Sequence, residues 1–301
     1  MNQEPKKTLI VIAGPTASGK TAAAIRLAQY FDTVILSADS RQFYREMSIG
    51  TAKPDAEELA AAKHYFIDSH SINEPFSVGD FEKQGLALLD ELFTQHNVVI
   101  LVGGSGLYIK ALCEGFDDIP QADEGVREQL NTELAENGIL PLQEELKSVD
   151  PAYYNQVDIN NPQRIIRALE VYRSTGQPFS SYRKATTNNR PFNCLKIALD
   201  LPREVLYNRI NTRVDAMVAQ GLVEEARSLL PQRHLNALNT VGYSELFDHF
   251  DGKATLAAAV ELIKQNTRRF AKRQLTWFRK DQQIHWLTPD EITGKKIEAL
   301  L

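Results

Sequence analysis

Residues 14–21 read Gly14-Pro15-Thr16-Ala17-Ser18-Gly19-Lys20-Thr21, a G-x-x-x-x-G-K-[ST] pattern. The apolar run TLIVIA (residues 8–13) precedes it, and the alanine-rich stretch KTAAAIRLAQYF (residues 20–31) follows. Strand before and helix after is the context in which this pattern cradles phosphates. The glycines let backbone N–H groups curl round an anion, and the helix N-terminus adds its partial positive charge. Lys20 reaches the terminal phosphates in such a loop, and Thr21 offers its hydroxyl to Mg²⁺. The motif therefore commits the start of the chain to a β-loop-α unit that binds a pyrophosphate-bearing ligand.

More short apolar runs follow: TVILS (33–37), NVVILV (97–102), LKIALD (195–200) and QIHWL (283–287), with HYFID (64–68) as a further short candidate. Unbroken apolar runs alternating with helical segments predict a parallel sheet covered on both faces, hence an α/β fold. The alternation stops between Glu114 and Asn193, where the period is helical and no strand candidate occurs. Helix stops stand at Asn137-Gly138 and Thr175-Gly176. An all-helical block between strand-bearing parts predicts an inserted domain at 116–193 and a core of 1–115 plus 194–301. Further helices are expected over 202–218, 221–230 and 253–280.

Asp39 follows the second strand. In open α/β sheets the strand ends face the ligand crevice, so Asp39 is a candidate general base or an indirect metal partner. It could equally cap the next helix. No carboxylate ends the NVVILV strand, which argues against a motor-type NTPase. Gly103-Gly104-Ser105-Gly106 stands there instead, a loop of glycines able to approach a ligand closely or simply to turn. Ser105 could bond a substrate passing the sheet edge.

The formal net charge is −5, which taken alone disfavours a nucleic-acid partner. The charges are unevenly spread. Residues 264–280 (KQNTRRFAKRQLTWFRK) hold Lys264, Arg268, Arg269, Lys272, Arg273, Arg279 and Lys280 with no acid, interleaved with Phe270, Trp277 and Phe278. A helix of this kind could follow a phosphate backbone or be a solvated basic face. Gln163-Arg164-Ile165-Ile166-Arg167 forms a second cluster, with both arginines on one helical face. Arg209 and Arg213 resemble the lid arginines of small P-loop kinases. Ion pairing with nearby acids is the alternative for these arginines. Two cysteines, Cys113 and Cys194, lack CxxC spacing and suggest reduced, partly buried thiols of a cytoplasmic protein. The start MNQEPKKTLIVIAG holds too short an apolar run for a signal sequence, and no stretch is long enough to span a membrane.

Taken in order, GPTASGKT, SADSRQFYREMSIGTAKP, VGGSGLYIKAL, NPQRIIRALEVYRSTG, NTRVDAMVAQGLVEEAR, NTVGYSEL and TRRFAKRQLTWFR resemble the bacterial tRNA dimethylallyltransferases, from about residue 8 to residue 288. The resemblance implies a P-loop kinase-like core with an inserted helical domain that grips tRNA. It implies a cytoplasmic enzyme, expected to act as a monomer, that transfers a dimethylallyl group from dimethylallyl diphosphate. The acceptor is the exocyclic amine of the adenine 3′ of the anticodon, position 37, in tRNAs reading codons that begin with U. Carried over, residues Gly14 to Thr21 hold the diphosphate with Mg²⁺ as cofactor on Thr21. Asp39 is the general base, with Thr16 and the diphosphate-binding Arg213 beside it. Asp39, Ser40, Arg41, Gln42, Ser105, Arg127, Gln163, Arg164, Ile165, Ile166 and Arg167 match tRNA-contacting positions in the anticodon stem-loop complex. A small-molecule kinase explains residues 8–40 but gives the basic helix no role. An RNA-binding module with a vestigial phosphate loop predicts that Lys20 is dispensable.

Overall fold

The computed structural model describes residues 6–115, 117, 119–120, 122–123, 125–183 and 189–301. Most of the basic leader MNQEPKK lies outside the described residues. The chain divides into two units, Met1–Glu114 with Asn189–Leu301, and Gly115–Asn188.

The first unit begins with β1 (Thr8–Ala13), the phosphate loop and α1 (Lys20–Tyr30). Then come β2 (Ile35–Ser37), α2 (Ala56–Ala61), β3 (His64–Tyr65), α3 (Val78–Gln95), β4 (Val98–Gly103) and α4 (Gly106–Glu114). The second unit holds α5 (Val126–Asn137), α6 (Leu140–Val149), α7 (Pro151–Tyr154), α8 (Pro162–Thr175) and α9 (Phe179–Tyr182), with no strand among its described residues. The first unit resumes with β5 (Asn193–Leu199), α10 (Arg203–Ala219), α11 (Leu222–Leu229), α12 (Tyr243–Phe250), α13 (Leu256–Phe278), β6 (His285–Leu287) and α14 (Gly294–Glu298).

The six strands form one all-parallel sheet in the order β3-β2-β4-β1-β5-β6. Side chains on a strand alternate between faces. On β1, Leu9, Val11 and Ala13 join the core that includes Phe81, Leu89 and Leu112 of α3 and α4. Ile10 and Ile12 join the opposite core, built on Ala23, Ala24 and Leu27 of α1 and Ile297 of α14. Burial on both faces explains why these strands read as unbroken apolar runs. A third core unites α10–α13 with Tyr44 and Met47.

Pairing sets the loops side by side. Ala13 lies opposite Gly103, and Val102 opposite Ser37. The phosphate loop, the β4–α4 loop and the Asp39 segment therefore leave adjacent parallel strands at the same sheet edge.

The insert boundary differs from the expected 116–193. The chain rejoins the first unit at Asn189, because Arg190 is anchored there. Its Nε donates to the Leu112 carbonyl at 3.0 Å, and its Nη2 donates to the Ala111 carbonyl at 2.7 Å and to Glu82 at 2.5 Å. Asn193 then donates its N–H to Lys7. Both cysteines are free thiols, Cys113 buried and Cys194 partly so. No helix among the described residues is long and apolar enough to cross a membrane.

Candidate active site

The phosphate loop has the backbone its sequence requires. Gly14 (φ +142°) and Gly19 (φ +94°) occupy conformations that side chains resist, and a Cβ on Gly14 would sit 3.3 Å from Ser18 Oγ and 3.4 Å from the Leu199 nitrogen. Ala17 adopts φ +62° without being glycine. It is held by packing against Leu206, Ile210 and the wholly buried Ala271 of α13. The Ser18 hydroxyl is buried without any hydrogen-bond partner.

Lys20 curls back over this loop and donates to the Pro15 carbonyl at 2.6 Å. Burial pulls its ammonium down from the usual lysine range to about 8; nearby Asp39 opposes that shift and Arg213 adds to it. Arg213, on α10, is open to solvent at the rim. Enough protein surrounds it for desolvation to lower its pKa, with Glu58 and Asp39 pulling the other way. Arg209, one turn earlier, reaches the Ser18 carbonyl at 3.4 Å and closes the loop from outside.

One cavity of about 610 Å³ gathers these groups. Thr16, Lys20, Thr21, Asp39, Ser40, Arg41, Gln42, Ser105 and Arg213 all line it. Asp39 accepts the N–H of Arg41 at 3.0 Å through one carboxylate oxygen, so the carboxylate is oriented by its own turn. Ser105 Oγ accepts the Ser40 N–H at 3.0 Å and donates to the Ser40 hydroxyl at 3.2 Å, which ties the β4–α4 loop to the Asp39 segment.

Some expected contacts have other partners. The Gln42 amide donates to the carbonyls of Thr51 and Ala52 at 3.1 and 3.0 Å, which shapes the cavity wall. The glycines of 103–106 make room for protein rather than ligand. A Cβ would lie 2.3 Å from the Ala38 carbonyl oxygen at Gly103, 2.2 Å from Gln274 Nε2 at Gly104 and 2.2 Å from the Trp277 ring at Gly106. In the helical unit, Ile165 and Ile166 are fully buried in its core with Leu142 and Leu169, so their side chains cannot be RNA contacts. Arg127 and Arg167 each lie 3.2 Å from the buried Glu170 carboxylate, and Arg127 also donates to Gln163 at 3.5 Å. Arg164 is exposed.

The cavity has walls that sequence reasoning did not assign. Gly50, Thr51 and Ala52 line it, as do Thr240, Val241, Asn266, Thr267, Phe270 and Arg273. Glu225 builds the first of these walls. Its carboxylate accepts the N–H groups of Ser48, Ile49 and Gly50 at 3.0, 2.8 and 2.9 Å and the Tyr243 hydroxyl at 2.6 Å. A Cβ on Gly50 would lie 2.6 Å from the Tyr243 ring. The acidic pair in VEEAR and the glycine in IGTAKP are the only local traces of this clamp.

From the cavity, α13 runs outward with Arg269, Phe270, Lys272, Arg273 and Trp277 exposed. Lys264 is not part of that surface, being paired with Asp215 at 2.7 Å and Glu261 at 2.9 Å. Arg268 is turned inward onto Asn211 at 2.6 Å.

A model of the family described as IPP transferase matches residues 42–281. The tRNA dimethylallyltransferase of Christiangramia forsetii is 57% identical over 283 residues, 94% of each chain. That of Cytophaga hutchinsonii is 52% identical over 287 residues, 95% of this chain and 94% of the relative. Among solved structures, the full-length tRNA isopentenylpyrophosphate transferase of Bacillus halodurans superposes with a TM-score of 0.71 at 39% identity, covering 98% of this chain and 94% of that one. A eukaryotic dimethylallyltransferase crystallised acting on tRNA superposes with a TM-score of 0.81 at 25% identity, over 98% of this chain and 78% of that one.

Proposed function

The chain belongs to the IPP transferase family of tRNA dimethylallyltransferases, and from that premise we propose how its site works. It is a prenyltransferase acting on tRNA. The donor is dimethylallyl diphosphate. The acceptor is the exocyclic amine of the adenine at position 37, beside the anticodon. The observation that carries this reading is the single cavity that joins a phosphate loop, an oriented carboxylate and the inner end of an exposed basic, aromatic helix.

The diphosphate lies in the phosphate loop, facing its backbone N–H groups and the α1 N-terminus. Lys20 and Arg213 neutralise the charge that grows on the leaving diphosphate as the allylic C–O bond breaks. The residues also fit a Mg²⁺ ion: the Thr21 hydroxyl lines the cavity beside Lys20, and the unpartnered Ser18 hydroxyl marks a loop with spare oxygen donors. Such an ion would supply further charge neutralisation to the leaving diphosphate.

Asp39 accepts a proton from the adenine amine as the new C–N bond forms, and Ser105 and Ser40 hold the carboxylate's segment in place. A stacked loop adenine cannot reach the cavity, so it enters flipped out of its stack. Exposed Phe270 and Trp277 give neighbouring bases faces to stack on, while Lys272 and Arg273 follow the phosphates. The helical unit adds Arg164, and its Arg127 and Arg167 leave net positive charge around one Glu170.

Asp39→Asn separates this role from a merely structural one. The amide keeps the Arg41 turn and loses the base. Turnover should fall by about a hundredfold or more, while tRNA affinity, read by filter binding, stays within about twofold. Equal loss in both measurements would remove Asp39 from the proton-transfer step.

A further inference from the structure

Gln274 is the least expected residue in the site. It lies on α13 between Arg273 and Leu275, is 7% exposed, and makes two hydrogen bonds through one amide. Its Oε1 accepts the N–H of Thr16, in the phosphate loop, at 2.9 Å. Its Nε2 donates to the carbonyl of Gly104, in the β4–α4 loop, at 2.9 Å. The orientation of the amide is fixed by its partners, since the Thr16 nitrogen can only donate and the Gly104 oxygen can only accept.

These bonds link loops that leave β1 and β4, and the absent side chain of Gly104 is what lets Nε2 approach. The Thr16 N–H is thereby withdrawn from the set that faces the anion, so Thr16 takes part in the loop through its side chain. A neutral amide suits this bridge, and a charged side chain does not. A carboxylate would bring negative charge beside a diphosphate site, and an ammonium or guanidinium has no acceptor. Ala271, one turn away, packs under the strained Ala17. The same stretch of α13 thus holds the phosphate loop at two points.

We propose that Gln274 is a positioning residue of the donor site, setting diphosphate affinity by holding the phosphate loop and the β4–α4 loop at a fixed separation. The proposal rests on the donor reading above, and its test uses a probe that does not require prenyl transfer. Inorganic diphosphate binding is measured by calorimetry on the full chain, and anticodon stem-loop RNA binding by filter retention, for wild type, Gln274→Met and Gln274→Glu. Gln274→Met keeps the side chain's length and loses both bonds. It should weaken diphosphate binding by about tenfold, because the phosphate loop is no longer held in its binding geometry, with RNA affinity close to wild type and a folded protein whose melting temperature is lowered by the lost buried bonds.

Gln274→Glu supplies the second readout. Its ionised carboxylate lacks the donor for Gly104 and adds negative charge beside the diphosphate; its protonated form is neutral and has both donor and acceptor again. The ratio of its diphosphate affinity to that of wild type at the same pH should therefore rise as pH falls from 8 towards 5, and the Gln274→Met ratio should stay flat. Wild-type affinity in Gln274→Met, an equal loss of RNA and diphosphate binding, or a flat Gln274→Glu ratio would each overturn the proposal. Failure of wild type to prenylate tRNA would instead remove the donor reading, and the diphosphate comparison would still decide what Gln274 does.

Discussion

Lys20 shows most clearly how one side chain sets the conditions of the site. Its ammonium, lowered to about 8 by burial, is charged at neutral pH in the free protein and neutral well above that. An anionic donor needs the charged form. Affinity for dimethylallyl diphosphate should therefore weaken as pH rises through 8, by about tenfold between pH 7 and pH 9 for one linked proton. Titration calorimetry across that range checks this, and a flat profile would mean that Lys20 does not face the donor. The stability effect has the opposite sign. The folded pKa lies below the unfolded 10.5, so charged Lys20 costs stability fully below pH 8, and the cost fades as pH rises towards 10.5. The site gives up some stability to keep a poorly solvated cation where the diphosphate arrives.

At the scale of elements, α13 does two jobs with two faces. Gln274 and Ala271 point in at the phosphate loop, while Lys272, Arg273 and Trp277 point out. Replacing Lys272 and Arg273 together by Gln should lower tRNA affinity across sequences. It should also flatten the slope of log affinity against log salt by about 1.5, the amount expected for two lost phosphate contacts. An unchanged slope would take the RNA off this helix. The outward charge was legible in the sequence, and so were the phosphate loop and all six strands, because local composition specifies them. The inward face was not. Gly104 meets Gln274 across 170 residues of chain, so it reads locally as a ligand approach or a turn, and Gly50, which meets Tyr243 at a comparable remove, carries no local sign of its partner. Ile165 and Ile166 show a different limit. The resemblance implies the whole stretch 163–167 as tRNA-contacting, whereas the helical period buries these two side chains against Leu142 and Leu169. The helical unit ends a few residues before the expected 193, where Arg190 is anchored by carbonyls of α4, which no local pattern announces.

For the whole molecule, a net charge of −5 coexists with a basic surface. The acids are concentrated elsewhere in the sequence, at 55–58 and 117–145 for example, and several are paired. Glu170, Glu133 and Glu145 hold arginines within the helical unit, Glu225 clamps backbone N–H groups, and Asp215 and Glu261 neutralise Lys264. What remains exposed on α13 from Arg269 onward is cationic and aromatic and leads to the cavity, which suits a protein that binds one RNA loop in a defined orientation and releases it after transfer. The central claim is the transfer itself. Unmodified tRNA incubated with the protein, dimethylallyl diphosphate and Mg²⁺, then digested and analysed as nucleosides by mass spectrometry, should yield isopentenyladenosine from the position beside the anticodon. Prenylated adenosine that appears with wild type and vanishes with Lys20→Ala is the predicted result; its absence from every anticodon loop with the wild-type protein would contradict the account.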